Sequence, residues 1–175
     1  MVSPDVRYRS STSTEGANPA RAEYETTCRL VATRAELETH FAIRAEVFVH
    51  EQSMFTGTDR DERDDTEPTL HVLGFVGTRP AGAVRLYPLD EQGMWQGDRL
   101  AVLRAHRGRQ LGGPLVRFAV HTAADRGGRQ MLAYIQPANV LFFQHLGWHP
   151  TGAPLEYCGR SHQRMVIDLE PWRRG

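Results

Sequence analysis

Val102-Leu103-Arg104-Ala105-His106-Arg107-Gly108-Arg109-Gln110-Leu111-Gly112-Gly113-Pro114-Leu115 joins a strand to a helix near the middle of the chain. The apolar run from Leu100 to Leu103 reads as a strand. A turn rich in Arg and Gly follows, and a helix begins behind it. Pro114 suits the first turn of that helix, where the leading N–H groups have no intrahelical acceptor. Such a junction aims backbone N–H groups outward at the positive end of the helix dipole, which suits a phosphate or pyrophosphate. Arg107 and Arg109 add charge and planar, fork-shaped donors. Many strand–turn–helix joints carry Gly and Arg and bind nothing, so the local sequence leaves both readings open.

Working outward, the strand that feeds this turn runs from Met94 to Leu103. Period-two alternation puts Gln96, Asp98, Leu100 and Val102 on one face, with Asp98 the polar group among apolar ones. Before it, Thr69 to Val76 and Ala81 to Tyr87 read as a hairpin about the turn Gly77-Thr78-Arg79-Pro80, and Pro88 to Gly93 as a further loop. After it, Leu111, Leu115, Phe118 and Ala119 form one helical stripe that ends at Arg126-Gly127-Gly128. Met131 to Ile135 is a strand of the buried type. Pro137-Ala138-Asn139 leads a short helix, Val140 to Leu146, stopped by Gly147. The remainder, Trp148 to Leu169, is predicted as two strands, the second from Arg164 to Leu169.

At the other end, residues 1–22 are rich in Ser, Thr, Pro and Gly and are expected to form a disordered tail. Residues 23–175 then make a single domain. A short strand is expected near Thr26 to Ala32. Thr33-Arg34-Ala35-Glu36 has the capping-box pattern, and Leu37, Phe41, Ala45 and Phe48 follow at helical spacing. Arg44 and Glu51 share a side if that helix runs far enough; the alternative is a solvated pair at a helix end. The loop Asp59 to Pro68 holds six carboxylates and two arginines. It reads either as a lip that attracts a cation or as a solvated loop.

Composition narrows the function classes. A chain of 175 residues with 40% apolar content suits one soluble domain with a real core. Its zero net charge provides no broad basic field for nucleic acid or an anionic membrane. All 21 basic residues are Arg, which excludes a Lys nucleophile or Schiff base. Cys28 and Cys158 do not make a zinc site, and no metal is expected. No apolar stretch has membrane-spanning length and no signal-peptide core is present, so the expected location is the cytoplasm.

The order of elements and four short motifs resemble the GNAT superfamily of acyl-CoA-dependent N-acyltransferases. Arg107-Gly108-Arg109-Gln110-Leu111-Gly112 is similar to the family signature of Gln or Arg, two residues, Gly, one residue, and Gly or Ala. Arg99-Leu100-Ala101-Val102 resembles the family's fourth strand. Asn139 with Phe142-Phe143-Gln144-His145-Leu146-Gly147-Trp148 resembles its Asn, Tyr and Leu-Gly-Phe block. Arg44-Ala45-Glu46-Val47-Phe48-Val49-His50-Glu51-Gln52 is similar to a stretch of one GNAT branch. Leu86-Tyr87-Pro88-Leu89-Asp90 is reminiscent of a bacterial subgroup linked to nitrogen-starvation gene clusters.

The resemblance implies an α/β (α+β) GNAT-like fold. Its central sheet is mixed and mostly antiparallel, splayed between strands four and five and flanked by helices. The splay would lie between Leu100–Leu103 and Met131–Ile135. It also implies acetyl-CoA, or another acyl-CoA, as co-substrate. The amides of residues 108 to 113 (Gly108, Arg109, Gln110, Leu111, Gly112 and Gly113) would take the pyrophosphate, beside Arg107 and Arg109. The backbone at Val102 and Leu103 would pair with the pantetheine arm, and Asn139 would bond it from the other side. Phe143 stands at the cofactor side, where many members carry a Tyr that protonates the leaving thiolate. Gln110 stands in place of a Gly, which calls for a backbone path without positive φ or a reshaped loop.

The implied reaction is attack of a neutral amine on a thioester, so an alkylammonium of pKa about 10 must lose a proton. Asp98, Glu51 and His71 are the candidate bases. Tyr134, His145 and Tyr157 are candidate acids, and an N–H near Leu103 is a candidate oxyanion donor. Cys158 is a nucleophile only in a two-step route; the alternative is a small core residue. The expected partner is a small-molecule primary amine, with a homodimer left open. Two further readings remain. One is a non-catalytic acyl-CoA-binding module. The other is a long-chain acyltransferase resembling autoinducer synthases.

Overall fold

The structure, a computed structural model, describes Tyr24–Arg173. The expected tail, residues 1–22, lies outside the described residues. The chain divides into two compact units. The first comprises residues up to Arg60, Leu70–Val84 and Arg99–Phe118; the second comprises Asp61–Thr69, Arg85–Asp98 and Ala119–Gly175.

The elements are β1 (Thr26–Leu30), α1 (Arg34–Ala45), β2 (Leu70–Val76), β3 (Arg79–Pro88), β4 (Met94–Val102), α2 (Gly112–Asp125), β5 (Gln130–Ile135), α3 (Val140–His145), β6 (His149–Pro150), β7 (Leu155–Tyr157) and β8 (Arg160–Asp168). Short 3-10 turns cover Glu62–Asp65, Arg104–Arg109 and Pro137–Asn139. The strand order is β1-β2-β3-β4-β5-β8-β6, with β7 paired to β8. The β4–β5 pair is parallel, and the β1–β2, β5–β8, β6–β8 and β7–β8 pairs are antiparallel. This is the expected mixed, mostly antiparallel sheet. No described helix is long and apolar enough to cross a membrane.

In the first unit, α1 begins as its sequence dictates. The Thr33 hydroxyl accepts from the Glu36 N–H at 3.2 Å, satisfying one of the orphan donors of the first turn. The Glu36 carboxylate reaches one residue beyond the N-cap, to the Ala32 N–H at 2.8 Å, and takes Arg29 Nη1 at 2.6 Å. After Ala45 the helix widens into a π-helical turn, Glu46–Glu51, in which the Gln52 N–H donates to the Val47 carbonyl at 2.9 Å. The wider turn shifts the phase of the side chains. Arg44, before the turn, is fully buried and Glu51, at its end, is exposed, so the two neither share a side nor form a solvated pair.

Ile43, Val47 and Phe48 pack on Leu73, Phe75, Ala83 and Ala101 to form this unit's core. Each such large apolar side chain contributes about 1.5–3 kcal/mol. The start of α2 is seated by two glycines that leave room for its leucines. A Cβ on Gly82 would stand 2.7 Å from Leu115 Cδ1, and one on Gly74 3.0 Å from Leu115 Cδ2.

In the second unit, β5 pairs along its whole length with β8, from Gln130↔Asp168 to Ile135↔Gln163. The parallel ladder of β4 and β5 covers Met94↔Gln130, Trp95↔Met131 and Gln96↔Leu132. Met131 and Leu132, expected within the splay, therefore still lie in the ladder, which ends just after them. Gly127 at φ 85° closes α2, with the Gly128 N–H on the Ala123 carbonyl at 2.9 Å and the Gly127 N–H on Ala124 at 3.0 Å, a Schellman ending. The final strand starts at Arg160 rather than Arg164, because β7 and β8 form a hairpin across Cys158-Gly159. Both loop residues take positive φ, 50° and 72°, as a two-residue hairpin of this hand requires.

Candidate active site

The Arg/Gly turn keeps the path expected of it, with one correction. From Leu103 the chain enters the 3-10 turn Arg104–Arg109, passes through Gln110 and starts α2 at Gly112. Gln110 itself takes the left-handed conformation, φ 56° and ψ 31°. The substitution of Gln for Gly has not diverted the backbone from positive φ; it has been absorbed as strain of about 1 kcal/mol. The first bond of α2 runs from the Leu115 N–H to the Leu111 carbonyl at 3.1 Å. The Gly112 and Gly113 amides precede it and lack intrahelical acceptors, and Pro114 has no N–H to satisfy. Arg104, Arg107, Gly108, Arg109 and Gln110 are all exposed, while Leu111 is fully buried and anchors the turn.

The side chains of this turn are engaged. Arg107 places Nη1 and Nη2 on the two carboxylate oxygens of Glu51, at 2.6 and 2.8 Å, and Nε on the Val102 carbonyl at 3.1 Å. The Arg107 hydrogen bonds hold the Glu51 carboxyl below the usual carboxylate range. Arg109 lies over the Tyr24 ring at 4.2 Å, a cation–π contact. The Leu103 N–H donates to the Ala81 carbonyl at 2.9 Å. The Leu103 amide itself is thus committed to the sheet.

The acidic loop is neither an open lip nor a solvated run. Its first residue, Asp59, is buried; Oδ2 accepts from Arg44 Nε at 2.7 Å and lies 3.3 Å from Arg99 Nε, which donates to the Asp59 carbonyl at 3.2 Å, all within the first unit. The rest belongs to the second unit. Asp61 caps the short 3-10 turn by accepting from the Arg63 N–H at 3.0 Å, and Asp64 is buried beneath it. Both serve Arg85, which reaches Asp64 Oδ1 at 3.0 Å and Asp61 Oδ2 at 3.0 Å. Glu62, Asp65 and Glu67 remain exposed.

Arg85 also meets Asp98: Nε donates to Oδ1 and Nη2 to Oδ2, each at 2.7 Å. The Tyr87 hydroxyl adds a bond to Asp98 Oδ2 at 3.1 Å. Burial disfavours the Arg85 charge, but the hydrogen bonds from Asp98 and Asp61 and the nearby carboxylates outweigh it and raise its pKa. Burial, and then the Asp98 charge, push the Tyr87 phenol up as well. Asp98 is thus a clamped carboxylate. The alternation expected for its strand breaks next door, at Arg99, which sits at φ 53°. Arg85 and Tyr87 were not among the sequence candidates. A signal was there: a lone Arg inside the apolar run from Ala81 to Tyr87 has to bury its charge against carboxylates.

The other candidates are placed as follows. Tyr134 stacks on Tyr157 with ring centroids 4.6 Å apart, and Tyr157 meets His162 edge-on at 5.4 Å. His71 lies in the first unit, edge-on to His40 at 4.8 Å and Phe41 at 5.6 Å. Asn139 is exposed at the end of its 3-10 turn, and His145 is exposed at the end of α3. Phe143 is buried against Trp148, with ring centroids 5.4 Å apart. Cys158 is exposed in its hairpin rather than a core residue. Cys28 is buried, and burial lifts its thiol to about 12 although Arg117 pulls the other way. Among the described residues no cluster of three or more His, Cys, Asp or Glu is arranged to hold a metal ion.

The model of the acetyltransferase (GNAT) family matches residues 34–148, a span that holds the Arg/Gly turn, the Arg85 cluster and α3. The uncharacterized N-acetyltransferase YjcF of Bacillus subtilis strain 168 is 30% identical over 135 residues, covering 76% of this chain and 93% of its own. Solved structures share the fold. Escherichia coli ElaA superposes with a TM-score of 0.70 at 23% identity, over 82% of this chain and 98% of its own. The CoA-dependent acyl-homoserine lactone synthase BjaI, solved with SAM and isopentyl-CoA, gives 0.65 at 23% identity, over 78% and 77%. A family match running through both units, joined to a relative aligned over nearly its whole length, leads to one assignment: the chain belongs to the GNAT acetyltransferase family.

Proposed function

We propose that the protein moves an acyl group, most directly acetyl, from acyl-CoA to the primary amine of a small molecule. The observation that carries this reading is the path of the Arg104–Arg109 turn through left-handed Gln110 into α2. Gln110 adopts the backbone that the family's glycine allows, and the amides of Gly112 and Gly113 lead a 14-residue helix beside three exposed arginines. These residues would hold the pyrophosphate, with Val102 and Leu103 toward the pantetheine arm.

When bound, the thioester supplies an acyl carbon to the amine: an N–C bond forms, the C–S bond breaks, the ammonium loses a proton and the thiolate gains one. The chain's own part is to move those protons. Arg85 donates to both oxygens of Asp98, and the Tyr87 hydroxyl donates to Oδ2. In this reading an Asp98 carboxylate oxygen takes the proton of the acceptor's ammonium. In this reading Arg85 and Tyr87 hold that oxygen in place, and Tyr87, kept protonated by burial and by Asp98, takes no proton. Phe143 cannot donate one; this reading assigns the thiolate's proton to Tyr134, stacked on Tyr157, with Tyr157 and His145 as the alternatives.

The test is thiol release from acetyl-CoA across a panel of primary amines. Asp98→Asn is expected to lower kcat by about 10²–10⁴-fold, the range of general-base catalysis. Turnover unchanged by that substitution would remove Asp98 from the reaction, and no turnover with any donor would sink the transferase reading. A second reading, acyl-CoA binding without transfer, is favoured by the buried Phe143. Tight CoA binding with no thiol release would support it. Long-chain donors in the same assay address the synthase-like alternative.

A further inference from the structure

We propose that Glu51 is a positioning residue that controls acyl-CoA entry through Arg107, and not the base that takes the amine's proton. The proposal rests on the acyl-CoA reading of residues 102–113.

The geometry is a three-point latch inside the first unit. Arg107 grips both oxygens of Glu51 with its fork, at 2.6 and 2.8 Å, while Nε donates to the Val102 carbonyl at 3.1 Å. One guanidinium thus ties the end of the π-helical turn to the Arg104–Arg109 turn and covers the last carbonyl of β4. That carbonyl lies in the segment assigned to the pantetheine arm. The guanidinium is also the cation assigned to the pyrophosphate. In the free protein both functions are taken by internal partners.

Two anions therefore compete for one Arg. A pyrophosphate carries more charge than a carboxylate and also accepts a bidentate fork. The pair is open to solvent, the side chains being 43% and 27% exposed, so the exchange does not strand a buried charge. When the fork moves to the pyrophosphate, Nε leaves Val102 and frees the carbonyl. Both Glu51 oxygens are held by Arg107 in the free state, so the carboxylate is engaged in the latch.

The test uses the full chain, Glu51→Gln and Arg107→Gln. Titration with CoA is read by calorimetry, and the Arg107 Nε–H by NMR hydrogen exchange in the free protein. Glu51→Gln is expected to bind CoA about 2- to 5-fold more tightly, the scale of an exposed ion pair, with a steeper salt dependence and a lower KM for acyl-CoA. Arg107→Gln is expected to bind about 5- to 10-fold more weakly. A merely structural pair would weaken binding in both variants. The Nε–H should be protected in the natural protein and exchange faster in Glu51→Gln.

Weaker or equal CoA binding by Glu51→Gln overturns the proposal, as does an Nε–H equally unprotected in both. A fall in kcat of a hundred-fold or more at saturating acyl-CoA makes Glu51 the base and overturns it too. Absence of CoA binding in all three proteins overturns the acyl-CoA reading itself, and the latch with it. That result is distinct from the others because the Nε–H is measured without CoA.

Discussion

Arg85 and Arg107 both grip a carboxylate with two parallel hydrogen bonds, yet they sit in opposite physical regimes. Arg85 is 1% exposed and shared among Asp61, Asp64 and Asp98 in the second unit. Arg107 is 43% exposed and holds a single carboxylate, Glu51, in the first. A buried guanidinium among carboxylates has no water to fall back on, so each member of the cluster depends on the others. An exposed one can trade its partner for water or for a ligand at little cost. The same bond geometry therefore holds the fold together in one place and leaves an exchangeable surface cation in the other.

The sharpest way to break this contrast is to remove each Arg in turn. Arg85→Ala removes the cation shared by Asp61, Asp64 and Asp98 and is expected to destabilise the protein by about 3–5 kcal/mol, read from the urea midpoint. Arg107→Ala should leave the midpoint almost unmoved. Similar losses in both variants would erase the distinction.

A smaller effect probes the strain in the exposed turn. Gln110→Gly removes a side chain from a left-handed position and should stabilise by about 0.5–1 kcal/mol, the relief exceeding the added chain entropy. A loss of stability would show that the Gln110 side chain contributes more than its backbone costs.

The smallest effect is with pH. Arg107 lowers the folded pKa of Glu51, so the pair's contribution is present above the unfolded value of about 4.3 and is lost as pH falls through the folded one. Because the pair is exposed, the change should appear in the Arg107 Nε–H resonance well before it appears in global stability. The Glu51→Gln variant should show no such titration. A resonance in the natural protein that is flat down to the acid transition would break this link.

Much of the path was legible because its signals are local. Thr33 and Glu36 announce the start of α1, Gly127-Gly128 ends α2, and the apolar run, Arg/Gly turn and Pro114 lay out the central joint. Three features resisted the same treatment. The π-helical turn at Glu46–Glu51 inserts a phase shift that no residue type marks, so helical spacing alone left the side reached by Glu51 open. Cys158 at positive φ hid a hairpin, because Cys is not a residue that signals such a turn. The acidic loop looked like a surface feature because its charges were counted without their partners.

By itself, then, the sequence determined the order of elements, the helix ends and the strand–turn–helix junction, since these depend on periodicity, capping and steric limits within a few residues. Which charges meet was decided by tertiary structure alone. Arg44 finds Asp59 at a separation of 15 residues, Arg85 finds Asp61 at 24, and Arg107 finds Glu51 at 56. An Arg and a carboxylate carry no mark of their partner in the chain. Only folding decides whether a given pair is sealed in, where it becomes structure, or left at the surface, where its partner can be exchanged.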